Sequence, residues 1–137
     1  LKKLSYLLDT NICIYIIKKE PKLVLNKFKQ FSPGDIGISS VTLAELYYGV
    51  EKSSQIEKNR SALENFLLPL EILLFDDQAA IVYGEIRANL EKNGTPIGPL
   101  DLMIAAHTKS RGLTLVTNNT KEFVRIAGLL VENWVKA

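Results

Sequence analysis

Cysteine, histidine, methionine and tryptophan each occur once in these 137 residues. The lone Cys13 excludes an intramolecular disulfide and fits a reducing compartment, so a cytoplasmic location is expected. Long hydrophobic runs are also missing. No apolar stretch approaches the roughly 20 residues of a membrane-spanning helix, and the first residues lack the layout of a signal peptide. Internal repeats, low-complexity tracts and linker-like segments are absent. Charge of one sign is scarce as well: 17 basic against 15 acidic residues leave a formal +2. That balance is too mild to argue for a nucleic-acid partner by itself.

What remains is ordinary globular material, with 47% hydrophobic and 23% charged residues. The length is that of one domain, expected over residues 1–137, large enough for a core without disulfides. Short apolar runs alternate with longer helical patterns. Strands are expected at Leu4 to Leu8, Ile36 to Ile38, Glu71 to Phe75, Leu113 to Val116 and Leu129 to Val131. Between them, helices are expected over Thr10 to Lys19, from Pro21 to about Phe31, and from Ser39 or Ser40 to about Lys52. Further helices fit Gln55 to Leu68, Asp76 to Lys92, and Pro99 to Arg111, where Gly112 serves as the stop. A short last helix runs from a cap at Asn118 or Asn119 to Arg125. Strands separated by helices imply parallel pairing with right-handed crossovers, hence a three-layer α/β/α sandwich. Ligands of such sheets gather beyond the carboxyl ends of the strands.

Three carboxylates stand out against this background. Asp9 closes the first strand, Glu45 lies inside the apolar segment Val41 to Tyr48, and Asp101 follows Gly98-Pro99-Leu100 at the start of a helix. Each has a modest explanation. Asp9 fits an N-cap, contributing about 1 kcal/mol; Thr42-x-x-Glu45 matches a capping box; Asp101 suits a helix dipole by about 0.3–1 kcal/mol. Yet Ser39-Ser40 start that helix earlier, leaving Glu45 on a face shared with Val41, Ala44 and Tyr48, where an unpaired carboxylate is costly. All three together call for compensating positive charge, because clustered carboxylates raise one another's pKa. A hard divalent cation, magnesium or manganese, supplies it, and metal-assisted phosphodiester hydrolysis becomes the leading chemistry.

The segment after the fourth strand, Thr117-Asn118-Asn119-Thr120-Lys121-Glu122, offers further groups that ligate, position water or cap a helix. His107 lies about 240° around its helix from Asp101 and points away from it, toward a structural or exposed role. Cys13 reads as a small buried apolar residue, Trp134 as a pin for the tail, and Asp76-Asp77 as a helix cap. Tyr47, Tyr48 and Phe66 read as core or interface aromatics. Lys18, Lys19, Lys22, Lys27 and Lys29 cluster with only Glu20 between them. They form either a solvated helix face or a basic rim for a phosphate backbone.

Leu8-Asp9-Thr10-Asn11, Ser39-Ser40-Val41-Thr42-x-x-Glu45-Leu46-x-x-Gly49 and Pro99-x-Asp101-x-x-Ile104-Ala105-Ala106 resemble the motifs of PIN-domain nucleases. With Thr117-Asn118-Asn119-Thr120-x-Glu122-Phe123 they resemble, in order and over essentially the whole chain, the VapC toxins of toxin–antitoxin pairs. The resemblance implies a five-stranded parallel sheet and a magnesium- or manganese-dependent endoribonuclease, with a transfer RNA as a family-based guess for the substrate. It also implies a homodimer and a cognate VapB antitoxin covering the active-site groove, through which DNA is met only indirectly. By matching position Asp9, Glu45 and Asp101 are metal ligands and catalytic, and Asn119, standing where the family often has a fourth acid, is expected to join them as a catalytic residue. Thr10, Asn11, Thr117 and Glu122 are expected to position ligands or substrate. The competing reading is a PIN fold with little or no activity, acting through protein or RNA partners. A phosphotransfer domain built on Asp76-Asp77 lacks the paired acids expected after the first strand.

Overall fold

The computed structural model describes residues 4–136; residues 1–3 and 137 of the expected domain lie outside the described residues. In chain order the elements are β1 (Tyr6–Leu8), α1 (Thr10–Lys18), α2 (Lys22–Lys29), β2 (Ile36–Ser39), α3 (Ser40–Glu51), α4 (Ile56–Leu67) and β3 (Glu71–Leu73). They continue as α5 (Asp77–Lys92), α6 (Pro99–Ser110), β4 (Thr114–Val116), α7 (Thr120–Phe123) and β5 (Leu130–Glu132). The five strands form one sheet in the order β3-β2-β1-β4-β5, and every pairing is parallel. Strand order reverses at β1, whose neighbours are the next strand on one side and β4 on the other, so a crevice opens beyond their carboxyl ends.

Neighbouring residues along a strand face opposite layers, and the core divides accordingly. Leu7 and Leu115 join Ile86 and Leu90 of α5, Leu102 and Ile104 of α6, and Phe123 of α7. Leu8 and Val116 join Ile12 and Ile16 of α1, Val24 of α2, Leu46 and Val50 of α3, and Leu63 and Phe66 of α4. Cys13 is fully buried in this second layer. Trp134 pins the tail as expected: it is buried, stacks on Phe31 at 5.4 Å and meets Tyr6 edge-on at 5.6 Å.

The local chemistry explains the element ends. Ser39 caps α3, its hydroxyl accepting from the Val41 N–H at 3.1 Å, and Asp76 caps α5 by accepting from the Ala79 N–H at 3.0 Å. Gly112, at φ +66°, ends α6 in a left-handed conformation that other residues adopt at a cost. Gly37 is required for closeness: a Cβ there would sit 2.9 Å from the backbone oxygen of Glu71 on the adjoining strand.

Several boundaries differ from expectation. The third strand stops at Leu73 because the Phe75 N–H is taken by the Ser40 hydroxyl at 3.0 Å rather than by a neighbouring strand. The first begins at Tyr6, the fifth runs Leu130–Glu132, and α7 is a single turn, Thr120–Phe123, instead of reaching Arg125. Tyr47 and Tyr48 are not core. They are 36% and 66% exposed, because the buried stripe of α3 follows Thr42, Leu46 and Val50 at four-residue spacing.

Candidate active site

Asp9 sits where β1 ends beside β4, its N–H donating to the Val116 carbonyl at 3.0 Å. One carboxylate oxygen caps α1, accepting from the Ile12 N–H at 2.9 Å. The capping explanation is therefore correct and incomplete, because a single oxygen satisfies it. Asp9 is only 6% exposed. Burial pushes its carboxyl up from 3.8 to about 6, against the downward pull of the Thr117 hydroxyl and the Ile12 N–H, with the negative charges of Asp101 and Glu45 adding to the rise. A helix N-cap held for stability alone would not be kept in negative company.

Asp101 lies in the first turn of α6, whose N-cap is Gly98 and whose first residue is Pro99. It is half-buried, and its pKa too is raised, first by burial and then by Glu122 and Glu45. A helix N-terminus alone favours a charged acid, so burial and like charge outweigh the dipole here.

Glu45, on α3, accepts a hydrogen bond from the Thr10 hydroxyl of α1 at 2.7 Å. The capping-box explanation fails: Ser39 is the cap, and Thr42 lies inside the helix with a buried hydroxyl that has no partner. The expected apolar face needs correction too. Ala44 and Tyr48 are exposed, and Glu45 stands half-buried at the rim of the core stripe, turned toward α1.

The fourth corner is built by the loop after β4. Thr117 is fully buried, and its hydroxyl accepts from the Asn119 N–H at 3.0 Å. Asn119 occupies the N-cap position of α7, yet its side chain caps nothing. Its amide instead donates to the Glu122 carboxylate at 2.7 Å. Asn118 does not cap either; its side-chain oxygen accepts from Asn133 at 3.3 Å. Both side chains are thus spent on other side chains, and neither caps α7. Glu122 is thus a fourth acid, held by Asn119 and close enough to act on Asp101. Asn11 is exposed on α1, and no side-chain contact ties it to the carboxylates.

His107 is structural, as its helical phase implies. It is fully buried and pairs through Nδ1 with the Ser39 hydroxyl at 2.8 Å, with Phe75 edge-on at 5.5 Å. Burial lowers its pKa, so it stays neutral. Sequence reasoning missed the consequence: this bond joins α6, which carries Asp101, to the cap of α3, which carries Glu45. A serine cap and a histidine 68 residues apart give no local signal of it.

Among the described residues, no three Asp, Glu, His or Cys side chains close into a ready-made metal cage. Asp9 accepts from Ile12 and from the Thr117 hydroxyl, and Glu45 commits one oxygen to Thr10. The donors nevertheless suit a hard cation. They are all oxygen, they repel one another, and no lysine or arginine pairs with them, since the ion pairs among the described residues involve only Arg60 and Arg87. Magnesium binds through one or two carboxylates and keeps several waters, so a closed cage is not needed.

A parallel sheet in this order, with acids at its carboxyl edge and helices on both faces, is the architecture of a PIN-type nuclease domain. The family model described as PIN domain matches residues 6–129. The chain is 50% identical over 131 residues to the tRNA(fMet)-specific endonuclease VapC of Shigella flexneri, covering 96% of this chain and 98% of that one. It is 49% identical over 132 residues to Ribonuclease VapC2 of Haemophilus influenzae, with 96% and 99% covered. Among solved structures it matches VapBC2 from Rickettsia felis bound to a promoter DNA fragment, with a TM-score of 0.90, 48% identity, and 96% and 99% of the two chains covered. DNA-bound VapBC from Salmonella typhimurium matches with a TM-score of 0.90, 50% identity, and 96% and 98% covered. The chain belongs to the VapC ribonucleases of the PIN-domain family.

Proposed function

We propose that this protein is the toxin of a VapBC-type pair: a magnesium- or manganese-dependent endoribonuclease held inactive by a VapB-type antitoxin. The observation that carries the reading is the group Asp9, Glu45 and Asp101, mutually close in charge, partly desolvated and without a cationic side chain. Asp9 and Asp101 would hold the divalent cation, and Glu45 would complete the set. A cation bound there supplies Lewis-acid polarisation of the phosphate and lowers the pKa of a bound water.

The chain's own residues do the rest. Glu45, fixed by the Thr10 hydroxyl, has one oxygen free to accept a proton from an attacking water and orient it. Thr117 supports Asp9 from the β4 side, and Asn119 holds Glu122 beside Asp101. Asn11, exposed at the first turn of α1, is available to the substrate phosphate. The reading of an inactive binding module rested on Asn119 replacing an acid. The 2.7 Å bond between Asn119 and Glu122 favours the enzyme, because it brings a carboxylate to that corner.

A transfer RNA is the proposed substrate, supported by the tRNA(fMet)-specific relatives. The VapB-type partner is supported by relatives solved as VapBC complexes, and contact with DNA through that complex by their promoter-bound forms. A homodimer is proposed from the family resemblance, with the exposed apolar residues Tyr48, Leu74 and Ile81 as candidates for its contact. No helix among the described residues is long and apolar enough to cross a membrane. The decisive experiment incubates antitoxin-free protein with a tRNA(fMet) transcript. Cleavage should need magnesium or manganese, stop with EDTA, and be lost in Asp9→Asn and Asp101→Asn. Undiminished cation-dependent cleavage by either variant would remove the assignment.

A further inference from the structure

An RNA strand must approach a site lined by Asp9, Glu45, Asp101 and Glu122, so its affinity has to come from cations placed elsewhere. Several of the positive side chains are already engaged by other groups of the protein. Arg60 is engaged by Glu51 and Glu57, and Arg87 by Glu91. Lys109 donates to the Ala127 carbonyl and Arg125 to that of Pro96. Lysines without an ion pair do line a groove of about 310 Å³ between α2 and the segment after β5. Lys27, Asn26 and Gln30 form one wall, and Asn133 and Lys136 the other.

One wall of this groove is bonded to the loop that follows β4. Strand β5 runs parallel to β4, so both end at the same edge, and the Thr117 N–H donates to the Glu132 carbonyl at 3.0 Å. Asn133 donates to the Asn118 side chain at 3.3 Å, joining the groove wall to the loop that carries Thr117 and Asn119. Its one carboxylate, Glu132, is turned inward: the Trp134 indole donates to it at 2.8 Å, and the Tyr6 hydroxyl also bonds it. The lining therefore presents two ammonium groups, that of Lys27 lying over the Phe31 ring at 6.0 Å, together with three amides and the exposed Leu23. Trp134 is 2% exposed, so it is a rigid floor and offers no ring face on which a base could stack.

From this geometry we infer that the groove is the track of the RNA strand beside the cut site. Lys27 and Lys136 each hold a backbone phosphate, and Asn26, Gln30 and Asn133 hydrogen-bond sugar hydroxyls or base edges. The inference rests on the ribonuclease reading and adds to it the surface that positions the substrate. It favours RNA over a protein segment because Lys27 and Lys136 and three amides match phosphates and sugar hydroxyls, with Leu23 the one exposed apolar side chain among them.

The test measures binding of a tRNA(fMet) transcript in EDTA, so that no cleavage is required, for wild type and for the double variant Lys27→Gln/Lys136→Gln. Each lost phosphate contact should reduce the slope of log K against log salt by about 0.7, together about 1.4. Affinity at low salt should fall by about ten-fold or more, and in cleavage assays the loss should fall on KM rather than kcat. The double variant Lys58→Gln/Lys92→Gln, with the same charge loss on α4 and α5, should bind nearly as wild type. Wild-type affinity and slope in the groove variant would overturn the inference, as would an equal loss in the control. Retained RNA binding with lost antitoxin binding would also overturn it, reassigning the groove to a protein contact. RNA binding without metal-dependent cleavage would defeat the ribonuclease reading and leave the groove standing; no RNA binding by wild type would defeat both.

Discussion

Replacing Asp9 by Asn should make the cation-free protein more stable while destroying its activity. The carboxyl is raised from 3.8 to about 6 by burial, with the charges of Asp101 and Glu45 contributing. Between those values the folded chain keeps a proton that the unfolded chain releases. Stability therefore falls as pH rises from about 4 to about 6 and is level above that. At about 1.4 kcal/mol per pKa unit, the charged carboxylate costs the folded state roughly 3 kcal/mol at pH 7.5. Asparagine carries no such charge, and its side-chain oxygen still accepts from the Ile12 N–H. Urea unfolding, followed by fluorescence of the single, buried Trp134, measures the difference directly. In EDTA at pH 7.5 the variant should be more stable by about 2–3 kcal/mol, the gap closing toward pH 4. His107 titrates alike in both proteins and cancels. Magnesium should stabilise wild type and leave the variant unchanged. A variant less stable than wild type throughout, or a gap independent of pH, would refute the placement of Asp9 as a desolvated acid among acids.

Thr10→Val removes the 2.7 Å bond to Glu45; kcat on the transcript should fall about ten-fold with KM little changed, and an unaltered kcat would deny Glu45 its orientation. His107→Leu breaks the buried bond to Ser39 and should lower stability by about 1–3 kcal/mol at pH 8. Because the folded histidine has a lowered pKa, wild-type stability is full above about pH 6.5 and is lost as pH falls. The gap to His107→Leu should therefore narrow in acid, which denaturation at pH 8 and pH 5.5 will show. Gly37→Ala places a methyl 2.9 Å from the Glu71 backbone oxygen. It should cost about 1–3 kcal/mol by thermal melting, and an unshifted melting temperature would contradict the spacing of β2 and β3.

Most elements were legible in the residues because their causes are local. A cap bonds an N–H two or three positions away, as Ser39, Asp76 and Asp9 do. Pro99 begins a helix and Gly112 ends one for reasons contained in one turn. Parallel pairing followed from strands interrupted by helices, and the acids' place at the carboxyl edge followed from that. The misplaced end of β3 comes from a partner that a local pattern does not contain, the Ser40 hydroxyl 35 residues away.

By itself, then, the sequence determined the helices, the sheet class and which acids meet. Tertiary structure alone decided what each acid does there. It assigned one oxygen of Glu45 to Thr10, 35 residues away, and tied Ser39 to His107 across 68. It turned Asn119 from a missing acid into the holder of Glu122, and left Tyr48 facing outward. It also set two lysines beside a strand end to face a groove. The physical reason is range. Caps and periodicity act within a turn, whereas the charge felt by a buried carboxylate depends on every group the sheet order brings within a few ångströms.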